Sequence, residues 1–244
     1  MLWKDRLRYQ ILPAVYKYSG FDNLPNLREE ENKLVFLLFH RIYKSDCTWN
    51  IVPNKSLSIS QNTLKKVIEY FNIRNYKAIT IDNAIHKINN SKIDGKNVVY
   101  TFDDGYKDNL FQALPVFEEY NIPFTTYIAT DFIDNKVSLW WYVLEKIITS
   151  NRNINLHINN KSFDFSFYSK QDQLKVFNKI ASIIRSDFHF DKNKIELLLN
   201  RYHSDLYDYT EKLMMDWEEL KQFSDHPLCT IGVHGKSHVP YSLL

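Results

Sequence analysis

Val98-Val99-Tyr100-Thr101-Phe102-Asp103-Asp104-Gly105 is the stretch on which the reading of this chain turns. Five residues rich in β-branched and aromatic side chains run straight into two acids and a glycine. The run predicts a strand. Neighbouring strand residues face opposite ways, so Asp103 and Asp104 can serve one site only where the strand ends and bends. Gly105 supplies that freedom.

The flanking sequence repeats the pattern. Residues 34–39 form an unbroken apolar run, ending in His40 and Arg41, which predicts a strand covered on both faces, as in a mostly parallel sheet. Ser58 and Ser60 offer caps for a helix whose apolar positions Leu64, Val67, Ile68 and Phe71 fall at helical spacing. A short strand over 78–81, a helix capped by Asp82, a helix over 108–120 and a strand over 124–129 introduced by Pro123 complete the series. Strand and helix in alternation predict a parallel α/β core. The acids then lie at a strand's carboxyl end, where such folds collect their ligands.

From about 135 to 212 the pattern changes. Residues 140–148 read as a helix, and Ile154, Leu156 and Ile158 alternate with polar residues, as do Phe163, Phe165 and Phe167 beyond Asn159-Asn160. That predicts a β-hairpin, followed by helices over 171–185 and 192–202. The expectation is a single domain over 1–244 with a mixed α/β insertion at about 135–212. A helix near 213–223, marked by Trp217, Leu220 and Phe223, then returns the chain to the core pattern, and a strand over 229–233 delivers His234.

Composition narrows the function. With 44% hydrophobic and 15% aromatic residues the 244-residue chain has ample material for a packed core. A net charge of +2, with no long run of like charge, makes no demand for a nucleic-acid partner. Cys47 and Cys229 are too few for a disulfide framework and read as packed, reduced thiols. No stretch approaches the roughly 18 apolar residues of a membrane span. Lys4, Asp5, Arg6 and Arg8 interrupt any apolar secretion signal. The expected location is cytoplasmic. Residues 2–12, basic and aromatic, read as a helix docking on the core, with peripheral contact to the inner face of a membrane as the alternative. Oligomeric state leaves no mark on the sequence.

His234-Gly235-Lys236-Ser237-His238 carries the second chemical signal. Four residues of extended strand separate two Cα atoms by about 13 Å, whereas a helical turn brings i and i+4 within about 5–6 Å at Cβ. Chelation by both imidazoles therefore needs a turn or short helix. Two histidines plus Asp104 would make a three-ligand site with a position left for water, at about 2.0–2.2 Å per ligand. A bound cation would bring its water's pKa toward about 7, while Asp103 accepts the proton. Taken singly, Asp-Asp-Gly also reads as a turn, and His-x-x-x-His as a solvated helix face or a packed pair.

Residues 98–105, the entry Ile122-Pro123-Phe124, and the run from Trp217-Glu218-Glu219-Leu220 through Ile231-Gly232-Val233-His234 to His238 closely resemble the polysaccharide deacetylase family, also called the NodB-homology or carbohydrate esterase family 4 group. Leu38-Phe39-His40-Arg41-Ile42 resembles the family's first strand, and the likeness covers about 34–134 and 214–244. It implies a distorted (β/α) barrel, a divalent metal, usually zinc, and a carbohydrate substrate from which acetyl is removed. Asp103 matches the family's catalytic base; Asp104, His234 and His238 match its metal ligands. The Arg-x-Pro-Tyr, Asp/Trp and Leu-x-His segments that follow in the family do not fit in the six residues after His238, so the expectation is a truncated domain with an open sheet edge. No other histidine is nominated as the general acid. Two readings stand beside the deacetylase of polysaccharide or lipopolysaccharide precursors: a catalytically silent carbohydrate-binding relative with a structural metal, and an amidase on a non-sugar substrate.

Overall fold

A computed structural model describes residues 9–13, 31–44, 52–158, 161–186, 189–202 and 205–240. The described strands are β1 (Tyr9–Pro13), β2 (Lys33–Phe39), β3 (Arg41–Tyr43), β4 (Ser58–Ser60), β5 (Lys77–Ala78), β6 (Lys96–Asp104), β7 (Phe124–Ile128), β8 (Asn153–Ile158), β9 (Lys161–Ser166) and β10 (Cys229–Val233). The chain forms two compact units. One comprises Met1–Cys47, Ser56–Ala129 and Met215–His234; the other comprises Thr48–Lys55, Thr130–Met214 and Gly235–Leu244.

The first unit holds a parallel sheet in the order β1-β2-β6-β7-β10. β2 occupies one edge of β6 along most of its length, from Lys33↔Lys96 to Phe39↔Phe102. The other edge is shared: β5 pairs at its start and β7 at its end, from Tyr100↔Phe124 to Asp104↔Ile128. Both faces are covered, as the apolar run over 34–39 predicts. On one, Tyr100 and Phe102 meet Phe117, Phe102 also meets Phe124, and Phe124 packs on Phe117 and Phe223, with ring centroids 4.7–6.0 Å apart. On the other, Leu34 and Val99 pack with Ile79, Ala84 and Ile88. Helices Leu114–Tyr120, Trp217–Ser224 and Ile81–Asn89 bring those residues to the sheet. The path ends at β1 and β10, and no pairing between them closes a barrel among the described residues. Ile231 and Val233 of β10 are exposed.

Several elements differ from the sequence expectation. Tyr9–Pro13 is a strand parallel to β2 rather than part of a docking helix, because the apolar edge of β2 offers it a complete ladder; residues 2–8 lie outside the described residues. Ser60 caps helix Gln61–Ile73 by accepting from Thr63 N at 3.0 Å, but Ser58 lies in β4. Thr80, not Asp82, caps helix Ile81–Asn89, so the strand before it is only Lys77–Ala78 and Asp82 sits in the helix's first turn, where its charge suits the dipole. The helix expected over 108–120 opens as a π-turn, Asn109–Ala113, before Leu114–Tyr120; Pro115 lacks the N–H that a regular turn would use. The helix expected over 213–223 is Trp217–Ser224, set off from Asp208–Leu213 by a reciprocal cap between Asp216 and Glu219.

The second unit contains helix Trp140–Ser150, the antiparallel pair β8/β9, and helices Lys170–Ser186, Lys192–Leu199 and Asp208–Leu213. Its interior includes Val143, Ile147, Ile180, Ile184 and Leu198. Buried Asn54 donates to Trp141 O at 3.0 Å and to Glu145 Oε2 at 2.5 Å, tying its own short helix into this unit. No helix among the described residues is long and apolar enough to cross a membrane. Cys229 is a free thiol whose pKa burial pushes up to about 12; Cys47 lies outside the described residues.

A polar clamp holds the turn that follows β6. Arg41 Nε donates to Asp108 Oδ2 at 2.8 Å, Ile42 N donates to Asp108 Oδ1 at 3.2 Å, and Asn109 Nδ2 donates to His40 O at 2.8 Å. The Arg41 guanidinium also lies over the fully buried ring of Tyr106, 5.3 Å from its centre. Burial raises the Asp108 carboxyl above its ordinary value, and the Arg41 charge opposes that rise. The folded state therefore binds the Asp108 proton more tightly than the unfolded chain, so this group's contribution to stability falls as pH rises from the ordinary carboxylate value through the raised one.

Arg41→Ala leaves Asp108 without its cation and is expected to cost about 2–4 kcal/mol, toward the lower end for a buried pair because both side chains keep some exposure. A loss under about 0.5 kcal/mol in urea unfolding would contradict the clamp. A Cβ at Gly232 would stand 2.4 Å from Tyr127 Cδ1, so Gly232→Ala should cost about 1–3 kcal/mol, and Tyr127→Ala in the same chain should recover most of the loss.

Candidate functional site

Asp103 and Asp104 are the last two residues of β6 and pair with Tyr127 and Ile128 of β7. By strand parity Asp103 belongs to the face of Val99 and Thr101, and Asp104 to that of Phe102. The ladder breaks at Asp104, whose φ of 78° is left-handed, and Gly105 follows with φ 91°. Two such residues in succession make the bend that two adjacent carboxylates require. Asp tolerates this conformation better than most side chains, so the first left-handed position needs no glycine. The Gly105 carbonyl accepts from Met215 N at 3.2 Å, which fixes the turn beyond the acids.

His234 follows β10. Its backbone N–H donates to Ile128 O at 2.9 Å, continuing the ladder of β10 on β7 by one bond. Its ring reaches across the end of β7 toward the acids: Nε2 is 3.4 Å from Asp104 Oδ1 and 4.0 Å from Asp103 Oδ2. The Asp104 side chain is 2% exposed, that of Asp103 12% and that of His234 31%, so the carboxylates are held from below and the imidazole faces outward.

Within the first unit the structure thus brings together three of the four predicted site residues. The fourth, His238, belongs to the second unit, where its ring packs 5.3 Å from Phe132 and 5.6 Å from Trp141. Residues 234–238 form bends rather than a helix, with left-handed φ at Gly235 (75°) and His238 (56°). Lys236, inside that turn, accepts a backbone bond from Asp131 N at 2.9 Å.

Tyr127 was not singled out from sequence. It pairs with Asp103, and its phenol pKa is raised by burial first and then by the charges of Asp103 and Asp82. Only the register of β6 on β7 reveals that neighbour. Asp131 and Trp141 were also missed, since neither lies in a recognisable motif; both are buried beside His238 in the second unit. Of the other histidines, His226 bonds Glu118 at 3.1 Å and His86 bonds Asn90 at 3.0 Å, both structural contacts. The side chains of His157 and His203 lie outside the described residues.

Residues 90–189 match the family model for polysaccharide deacetylase. Among curated proteins, YxkH of Bacillus subtilis, named provisionally as a polysaccharide deacetylase, is 22% identical over 185 residues, covering 75% of this chain and 63% of the relative. The poly-β-1,6-N-acetyl-D-glucosamine N-deacetylase of Staphylococcus epidermidis is 25% identical over 114 residues, 44% of this chain and 39% of that one. The chain spans less than two thirds of the length of either relative. Among solved structures, IcaB from Ammonifex degensii aligns with a TM-score of 0.35 at 22% identity, over 50% of each chain. The matched segment contains β6 with its acidic pair, and over that segment the chain is similar to polysaccharide deacetylases.

Proposed function

We propose that this protein is a metal-dependent hydrolase that removes acetyl groups from N-acetylated sugars of a polysaccharide or lipopolysaccharide precursor. The observation that carries this is the 3.4 Å between Asp104 Oδ1 and His234 Nε2. Two ligand atoms at about 2.0–2.1 Å from one tetrahedral ion stand roughly 3.3–3.5 Å apart, so the pair has the spacing of donors to a shared cation. His238, four residues on in the same turn, supplies the third donor of the set, one carboxylate oxygen and two imidazole nitrogens. That set suits zinc and leaves a coordination position open.

When bound, the cation polarises an acyl oxygen and acidifies a water. The chain's own residues do the rest. Asp104 is spent as a ligand and is almost wholly buried. Asp103 is more accessible and stands further from the imidazole, so it remains available to take the proton of the attacking water. Tyr127, beside Asp103 in the ladder, forms part of the wall that limits water access to that carboxylate. The sugar class follows the deacetylase likeness, and the name of the staphylococcal relative specifies an N-acetylglucosamine polymer.

Zinc content and acetate release from N-acetylglucosamine oligomers test this reading. Asp104→Ala should drop bound zinc from about one per chain to near zero. Asp103→Asn should keep the zinc and lower acetate release about 100-fold or more, the range of general-base catalysis. Equal zinc loss in both variants would contradict the roles assigned, and zinc without acetate in the unsubstituted chain would favour a silent carbohydrate-binding relative.

A further inference from the structure

The second unit contains a cleft of about 670 Å³, within the range of small-ligand sites, and its wall has an unusual charge. Lys136, Lys192, Lys194 and Lys236 line it, against Asp131 and Asp191. Lys136 is engaged by Asp134 at 2.7 Å and Lys192 by Glu196 at 3.6 Å, and Asp191 Oδ1 accepts from Lys194 N at the start of helix Lys192–Leu199. Lys194 and Lys236 have no ion pair among the described residues.

The floor is polar and incomplete. Asp131 is 7% exposed and Trp141 8% exposed, yet Asp131 Oδ1 and Trp141 Nε1 have no hydrogen-bond partner among the described residues. Leaving a buried acceptor and a buried donor unmet costs free energy that a ligand with hydroxyl groups would return. Trp140, half-buried on the same wall, offers an aromatic face, and His238 lines the cleft as well.

We propose that this cleft seats a saccharide unit bearing a negatively charged substituent, a phosphate or a carboxylate, whose charge is met by Lys194 and Lys236 and whose hydroxyls satisfy Asp131 and Trp141. The proposal rests on the deacetylase reading and narrows its substrate to an anionic glycan. An uncharged sugar would use the aromatic wall and the two orphaned atoms, but it would leave both ammonium groups without a counter-charge.

Calorimetric titration of the full chain tests it with two probe pairs of matched length. One pair is N-acetylglucosamine 1-phosphate against N-acetylglucosamine; the other is a tetrasaccharide of alternating glucuronate and N-acetylglucosamine against the neutral N-acetylglucosamine tetramer. At low salt at least one anionic probe should bind roughly tenfold tighter than its neutral partner, the factor two exposed ion pairs supply. Which probe wins identifies phosphate or carboxylate as the charge recognised. The preference should shrink at 1 M salt and fall to about twofold in a Lys194→Gln/Lys236→Gln double variant. Equal affinity within both pairs, no binding of any probe, or a preference that survives the double substitution would overturn the proposal. Zinc content and acetate release from the neutral tetramer, measured on the unsubstituted chain, report on the hydrolase reading separately, so either can fail without the other.

Discussion

Backbone register at Ile128 is the constraint on which the candidate site depends. On one side Ile128 pairs with Asp104; on the other its carbonyl accepts the His234 N–H at 2.9 Å. The carboxylate and the imidazole come from strands that do not touch each other, and the strand between them sets where each ends. A slip of one residue in either ladder would move the side chain at that position to the opposite face of the sheet. The aromatic cluster on one side, with the Leu34/Val99 cluster on the other, holds both ladders in place, because a shift would carry Tyr100 and Phe102 out of their contacts. Packing in the sheet therefore specifies the 3.4 Å approach at its edge.

The bend after the ladder needs its own supports. Asp104 and Gly105 adopt left-handed φ, and strain of that kind persists when the surroundings over-determine it. Here the surroundings are Met215 N on the Gly105 carbonyl and the Arg41–Asp108 clamp a few residues on. Arg41 opens β3, with only His40 between it and the end of β2, and Asp108 follows the turn after β6, so the clamp joins the chain just past two neighbouring strands of the sheet.

Much of this was legible in the sequence, and the parts that were not have physical reasons. The apolar runs gave β2, β6, β7 and β10 to within two residues at either end, since strands buried on both faces leave little ambiguity. The acidic pair and His234 were legible because motifs at strand ends project into one region. The hairpin β8/β9 showed through its alternation. What failed were choices between neighbouring caps, such as Thr80 against Asp82, where either side chain can bond the helix start. The strand at Tyr9–Pro13 was missed because its pairing depends on a partner more than twenty residues away in sequence. The Asp108 clamp, the Tyr127 neighbour of Asp103 and the polar cleft floor at Asp131 and Trp141 are products of tertiary packing and carry no local signature.

The central claim is that Asp104, His234 and His238 share one cation. X-ray absorption at the zinc edge of the zinc-loaded chain tests it directly. The account predicts a first shell of two imidazole nitrogens and one carboxylate oxygen at about 2.0–2.2 Å, completed by a light-atom solvent ligand. Sulfur in that shell, or a single imidazole, would contradict it.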